Sequence, residues 1–351
     1  VGKIRVMLVD DAVVFRRLVS EELSKDPAIE VVATAANGKI ALAKLTHSNP
    51  DLVILDVEMP EMDGLATLAE IRKIYPKLPV IMFSALTERG AVATLDALAL
   101  GATDYFTKPT TVGGLDESLE VIRQQLIPEI KALCLRPATK PPATAPASTQ
   151  KSAQRPQAGP VPVEIVAIGT STGGPNALSE VFSGLPADFP VPIVIVQHMP
   201  PMFTRMLAER LSSQSSIRVQ EASSGSVLLP GTAWIAPGDY HMIVVRDALQ
   251  ARVLTHQDPP ENSCRPAADV LFRSVAQAYG PRALGVVMTG MGQDGLRGCE
   301  EIVQAGGRVL VQDEATSVVW GMPGYVARAG LADRLLPLSL IADEIIKRVR
   351  E

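Results

Sequence analysis

Five short apolar runs rich in β-branched residues mark the first third of the chain: IRVMLV (4–9), IEVVATA (29–35), DLVILD (51–56), PVIMFSA (79–85) and TDYFT (103–107). Each is followed by a stretch whose apolar residues fall three and four apart, as in Val14 and Leu18 or Leu65, Leu68 and Ile71. Runs this short, joined through helices, predict a five-fold βα repeat and a doubly wound parallel sheet covered on both faces. Ligands of such a sheet sit at the C-terminal ends of its strands. A second set follows: VEIVAIG (163–169), PVPIVIVQH (190–198), ALGVVMTG (283–290) and GGRVLVQD (306–313), again separated by helical patterns. Between them, residues 217–255 carry closely spaced strand and turn signals that read as antiparallel hairpins. The second module is therefore expected to be α/β with a mainly parallel sheet and an antiparallel hairpin region.

Between the two patterned regions, RPATKPPATAPASTQKSAQRPQAGP (136–160) contains no Ile, Leu, Val or aromatic residue and has nothing with which to build a core. It predicts a Pro-rich flexible tether. The expected organisation is a first module at 1–126, a connecting helix end and linker at 127–162, and a second module at 163–351. Composition narrows the partners: the formal net charge is −5, with no run of Lys and Arg to track phosphates, so nucleic acid is not expected. Three cysteines without a CxxC pair disfavour a disulfide framework or a zinc site and fit a reducing cytoplasm. No apolar run reaches the roughly 18 residues of a membrane span, and the first residues lack a signal-peptide pattern, so no membrane insertion is expected.

Carboxylates stand where the first-module strands end, Asp10 and Asp11 after the first and Asp56 after the third. In a 2-1-3-4-5 sheet these strands are neighbours at the topological switch, so the three acids converge, and crowded carboxylates call for a cation. Mg²⁺ suits one or two carboxylates plus exchangeable waters. Ser84 ends the fourth strand with a hydroxyl and Lys108, just before Pro109, ends the fifth with a charge; both can serve a phosphoryl group at Asp56. The motifs VDDA, DVEMPEMDG, FSA and KP, in that order, resemble the receiver domain of two-component response regulators. The resemblance implies that Asp56 accepts a phosphoryl group from a histidine kinase and that Asp11 and Asp56 ligate Mg²⁺ directly. It further implies that Asp10 assists, that the Glu58 backbone carbonyl adds a ligand, and that Ser84 and Tyr105 change position on phosphorylation.

In the second module, Gly169 to Gly173 spell GxSxG, the pattern of a nucleophile on a sharp turn between strand and helix. Gly290, Gly292 and Gly295 spell GxGxxG after a strand, with Asp313 downstream, which taken alone is a dinucleotide fingerprint. His198 closes a strongly apolar strand and Asp294 follows another, so Ser171, His198 and Asp294 are expected at one sheet edge as nucleophile, base and orienting acid. Asp294 could equally cap the helix that starts near Leu296. The stretches IGTSTGGP, VQHMPPMFT, WIAPGDYHM, MTGMGQDG and TSVVWGMPG resemble the catalytic domain of the CheB family of chemotaxis protein-glutamate methylesterases. That resemblance implies a Ser171, His198, Asp294 triad, an oxyanion contact from the Met291 amide, and no cofactor for ester hydrolysis. It also implies methylated chemoreceptors as substrate, with glutamine deamidation as a related activity, the kinase CheA as phosphodonor, and an unphosphorylated receiver lying over the cleft. Two rival readings remain at this stage, a nucleotide-binding oxidoreductase using Gly290 to Gly295 and a response regulator whose second module only binds a partner.

Overall fold

The structure is a computed structural model that describes residues 2–109, 115–135 and 161–351. The tether read at 136–160 lies outside the described residues. In the first module, strands β1 (Ile4–Val9), β2 (Ile29–Ala35), β3 (Leu52–Asp56), β4 (Val80–Ser84) and β5 (Asp104–Thr107) form an all-parallel sheet in the order β2-β1-β3-β4-β5. Helices α1 (Val13–Ser24), α2 (Gly38–Ser48), α3 (Gly64–Ile74) and α4 (Glu88–Ala99) connect them. Three of these helices begin with a side-chain cap, where Asn37, Asp63 and Thr87 accept from the backbone N–H of Ile40, Ala66 and Gly90. Helix α5 (Leu115–Val121) runs through a π-helical turn (Ile122–Leu126) into α6 (Ile127–Cys134). Ile127 and Ile130 bury themselves with Leu23 and Phe83, so the first module's core continues beyond residue 126.

The period-two alternation of the strands sorts that core into two faces. Ile4, Val6 and Leu8 meet α1 and the helix ending in α6, while Met7 and Val9 point to the face covered by α2, α3 and α4.

The second module holds α7 (Gly174–Ser183), α8 (Phe203–Gln214), α9 (Ala268–Tyr279), α10 (Leu296–Gln304), α11 (Met322–Arg328) and α12 (Leu338–Arg350). Its strands are β6 (Ile165–Thr170), β7 (Ile193–Gln197), β8 (Arg218–Glu221), β9 (Thr232–Ile235), β10 (His241–Arg246), β11 (Ala251–His256), β12 (Ala283–Val287), β13 (Arg308–Gln312) and β14 (Arg334–Leu336). Seven of them make a parallel sheet in the order β14-β13-β12-β6-β7-β9-β8, and β10 and β11 form a separate antiparallel pair. The hairpin signals of residues 217–255 thus resolve into two outcomes. Strands β8 and β9 join the main sheet in parallel, and only β10 and β11 are a true hairpin. Close spacing predicts the strand boundaries there, but pairing direction depends on which sheet edge is free.

The first strand, β6, lies mid-sheet, with β7 on one side and β12 on the other. This is the topological switch, and the chain segments leaving β6, β7 and β12 open onto one crevice. Gly238 packs against the backbone of Pro200 and Pro201, two residues that line the crevice. A Cβ at that position would lie 2.2 Å from Pro201 N and 2.3 Å from the Pro200 carbonyl carbon, both backbone atoms. Gly238→Ala is therefore expected to lower stability by about 1–3 kcal/mol and to displace the loop after His198. Calorimetry of the variant reads the first effect, and an unchanged melting temperature would contradict the close approach.

Candidate active site

Each of the three second-module residues leaves the C-terminal end of a different strand. Ser171 follows β6, His198 follows β7 and Asp294 follows the segment after β12. The turn at Ser171 is tight for stated reasons. Gly173 has φ 75°, and a Cβ there would sit 2.6 Å from Val318; a Cβ at Gly174 would sit 2.0 Å from Gln197 Oε1. The buried Gln197 side chain donates to the carbonyls of both Ser171 (3.1 Å) and His198 (3.1 Å), clamping the two strand ends together. Thr170 Oγ1 donates to the Thr289 carbonyl, and Thr289 Oγ1 donates to the Thr172 carbonyl, so the β12 exit is tied to the same turn.

His198 Nε2 lies 2.7 Å from Asp294 Oδ2. The other imidazole nitrogen, Nδ1, is therefore the one that faces the cavity, and it rests 3.6 Å from Cys264 Sγ. No hydrogen bond joins Ser171 Oγ to His198 among the described residues. Both line one cavity of about 660 Å³, together with Thr172, Met291 and Cys264. Burial works against the charged imidazole, but Asp294 and the Cys264 sulfur outweigh it and push His198 up to about 10.

Asp294 is 2% exposed, and although burial opposes its charge, His198 and two backbone amides hold its carboxyl below the ordinary value. Those amides belong to Ala268 (2.5 Å) and Asp269 (3.0 Å) at the start of α9. Asp294 does cap a helix, but α9 and not α10. Asp269 returns the arrangement by accepting from Gly298 N–H of α10 at 2.6 Å. The oxidoreductase reading of Gly290 to Gly295 fails on the same geometry. Gly290 packs against Ser171, where a Cβ would lie 2.9 Å from Ser171 Cβ, and Gly290 O accepts from Gly321 and Met322. Asp313, the acid a ribose would need, caps a local turn, its Oδ1 accepting from Thr316 N–H and Oγ1. The Met291 N–H donates to no group among the described residues, as the oxyanion assignment requires, and neither does the N–H of Thr172, which sequence reasoning passed over. The GxSxG turn itself signals that residue, since the amide after the nucleophile is the usual oxyanion donor.

In the first module, Lys108 Nζ sits 2.7 Å from Asp10 Oδ2 and 2.7 Å from Asp56 Oδ2. Asp10, Asp11 and Asp56 each bring a carboxylate oxygen within 4.8 Å of the others. Asp10 Oδ2 is buried and, despite the nearby ammonium, accepts no well-directed hydrogen bond, which suits a cation ligand. Burial, opposed by Lys108, pushes Asp56 up to about 6. The Glu58 N–H reaches Asp56 Oδ1 at 3.4 Å, and its side chain pairs with Arg89. Ser84 is fully buried and donates to the Gly90 carbonyl, while Tyr105 stacks on Phe203 of the second module with ring centroids 5.2 Å apart.

That stacking belongs to a broad contact. Arg205 pairs with Glu88 and Arg210 with Asp96, joining α8 to α4, and the apolar core runs unbroken from Leu95 and Leu98 to Leu207. Asp104 and Glu129 from the first module line the cavity beside the Ser171 turn, where the Thr172 side chain and the Gly173 backbone hydrogen-bond to Asp104, and burial raises both carboxyls. The first module thus forms one wall of the cavity.

Fold and site together define a response regulator whose output module has the layout of a serine hydrolase. Residues 166–345 match the CheB methylesterase family and residues 6–120 the response regulator receiver domain. A protein-glutamate methylesterase/protein-glutamine glutaminase of Trichodesmium erythraeum is 59% identical over 99% of both chains. A protein of the same name from a Nocardioides species is 53% identical over 99% of this chain and 95% of its own. The Thermotoga maritima CheB methylesterase catalytic domain is 41% identical, covering 53% of this chain and 99% of that one, with a TM-score of 0.52. The chain belongs to the CheB methylesterase family, with a receiver domain ahead of the methylesterase domain.

The His198–Asp294 ion pair makes a prediction about stability. A histidine whose folded pKa is raised contributes fully below the unfolded value of about 6.5, and that contribution fades as the pH climbs through about 10. The gap in melting temperature between the wild type and His198→Gln is thus expected to be larger at pH 6 than at pH 10. A gap that widens with pH would contradict the assignment.

Proposed function

We propose that this chain is a phosphorylation-controlled hydrolase of glutamate γ-methyl esters on chemoreceptors. The observation that carries the reading is the convergence of Ser171, the His198–Asp294 pair and the free Met291 amide on one cavity. In the neutral form of His198, which its raised pKa makes the minor one near neutral pH in this resting arrangement, Nδ1 takes the proton of Ser171 Oγ as that oxygen attacks the ester carbonyl, and the Met291 and Thr172 amides receive the oxyanion. The carbon–oxygen bond to the methoxy group then breaks, His198 returns the proton, and methanol leaves a Ser171 ester behind. Water, deprotonated by the same nitrogen, cleaves that ester to free Ser171 and the glutamate carboxylate. A glutamine side chain would follow the same course with ammonia as leaving group.

The receiver supplies control. Asp56 is the phosphoryl acceptor, and Asp10, Asp11 and Asp56, with the Glu58 backbone carbonyl, would hold a Mg²⁺ ion that neutralises phosphoryl oxygens. Lys108 is already in place to pair with the group. Since Ser84 is turned to Gly90 and Tyr105 is stacked on Phe203, their movement toward a phosphorylated Asp56 would loosen the face that walls the cavity. The phosphodonor is a histidine kinase of the CheA type, and the setting is the cytoplasm. No helix among the described residues is long and apolar enough to cross a membrane.

Methanol release from methylated receptor, with and without a small phosphodonor, tests both modules. Ser171→Ala is expected to abolish release in a folded protein; retention of more than a few percent of the rate would reject the nucleophile. Asp56→Asn is expected to keep the basal rate and lose the stimulation. Arg210→Asp breaks the ion pair with Asp96 and should raise the basal rate, and adding Asp96→Arg should bring it back down. A basal rate unaffected by either change would remove the covering contact from the account.

A further inference from the structure

The loop before α9 carries a feature that the Ser, His, Asp reading leaves unused. Glu261 and Cys264 exchange backbone hydrogen bonds in both directions, and the two residues between them, Asn262 (φ 53°) and Ser263 (φ 61°), are both left-handed. That is a type I′ turn, in which Asn is a favoured residue for conformational reasons alone. Its side chain does more than the turn requires. Asn262 Nδ2 donates to Asp294 Oδ1 at 2.9 Å and to Asp269 Oδ2 at 2.9 Å.

One amide nitrogen thus stands between two buried carboxylates, 2% and 1% exposed. It meets both like charges with a donor dipole, and it engages the Asp294 oxygen that His198 does not use. With Oδ1 held by Asn262 and by Asp269 N–H, the carboxylate plane is set, and Oδ2, which also accepts from Ala268 N–H, is the oxygen turned to His198 Nε2. The turn is itself anchored, because Glu261 forms a two-point ion pair with Arg273 of α9, at 2.6 Å for each contact.

We propose that Asn262 is a positioning residue for ester hydrolysis, its amide clamping Asp294 against Asp269 so that a single carboxylate oxygen is presented to His198. The proposal rests on the triad reading given above. It acts through Asp294 and requires no contact with substrate.

Asn262→Gly is the informative variant, since glycine suits a left-handed turn position and only the amide is removed. With the full chain, phosphodonor and methylated receptor, kcat is expected to fall roughly tenfold or more, short of the roughly 10⁴-fold loss that follows when an orienting acid is disabled in a comparable triad. KM and the melting temperature should stay close to wild type. In an Asp294→Asn background the same substitution should change kcat less than about twofold, because the group it positions is already disabled. A merely structural role would lower the activity of both backgrounds by the same factor, and that result would overturn the proposal. So would wild-type kcat in Asn262→Gly while Asp294→Asn is impaired, which leaves the triad standing and removes only the clamp. Wild-type kcat in Asp294→Asn would instead remove the triad reading, and the clamp with it.

Discussion

The second module is organised around one buried charge. Asp294 is nearly inaccessible to water, and an ionised carboxylate in such a place is tolerated only if the protein supplies what water would have supplied. Four donors do so: His198, Asn262 and the backbone amides of Ala268 and Asp269. They come from three parts of the fold, a strand end, a turn and the start of one helix. The α9 amides are orphan donors of a helix N-terminus, which must be satisfied somewhere and carry a favourable dipole toward a negative group. Satisfying them with a carboxylate from the β12 exit pins α9 to that strand, and the Asp269 cap on Gly298 pins α10 in return. The functional pair with His198 is therefore built on a structural necessity, and the acid cannot be removed without loosening two helices.

The receiver handles its buried carboxylates differently. Asp10 and Asp56 share one side-chain cation, the Lys108 ammonium, and Asp56 sits above its ordinary pKa because burial exceeds what that one charge returns. A carboxylate held by fixed backbone dipoles is locked into one state. One held by a lysine ammonium depends on a single side-chain charge instead. Buried acids beyond or at the strand ends of two parallel sheets thus differ in what neutralises them, fixed amides and an imidazole in one and a lysine in the other.

Much of this was legible before any coordinates, because parallel strands bring their C-terminal ends together and the chain announces those ends. Asp10, Asp56, Ser84, Ser171 and His198 each stand at or just beyond the end of a strongly apolar run. What was not legible falls into two kinds. Asn262, Cys264 and Asp269 come from a turn and a helix start, where no periodicity marks them and where a local role explains the residue type equally well. The cavity wall formed by Asp104, Tyr105 and Glu129 depends on how two modules meet, and pattern within either module carries no record of the other. Asp294 shows both limits at once. Reading it as a cap was correct in chemistry and wrong in partner, because the sequence places it beside α10 and the fold delivers it to α9.

The covered state has one more property that follows from the imidazole's orientation. With Nε2 committed to Asp294, only Nδ1 is available to a nucleophile, and here Nδ1 faces Cys264 while Ser171 makes no hydrogen bond with it. Reaching Ser171 requires the two side chains to come into line, while Gln197 already holds their backbone segments together. The space for that movement is bounded by residues of both modules. The receiver residues Asp104, Tyr105 and Glu129 therefore bound the same cavity into which Ser171 and His198 face. A resting nucleophile that is not engaged by its base is less reactive toward other esters, which is an advantage for an enzyme meant to act only on command.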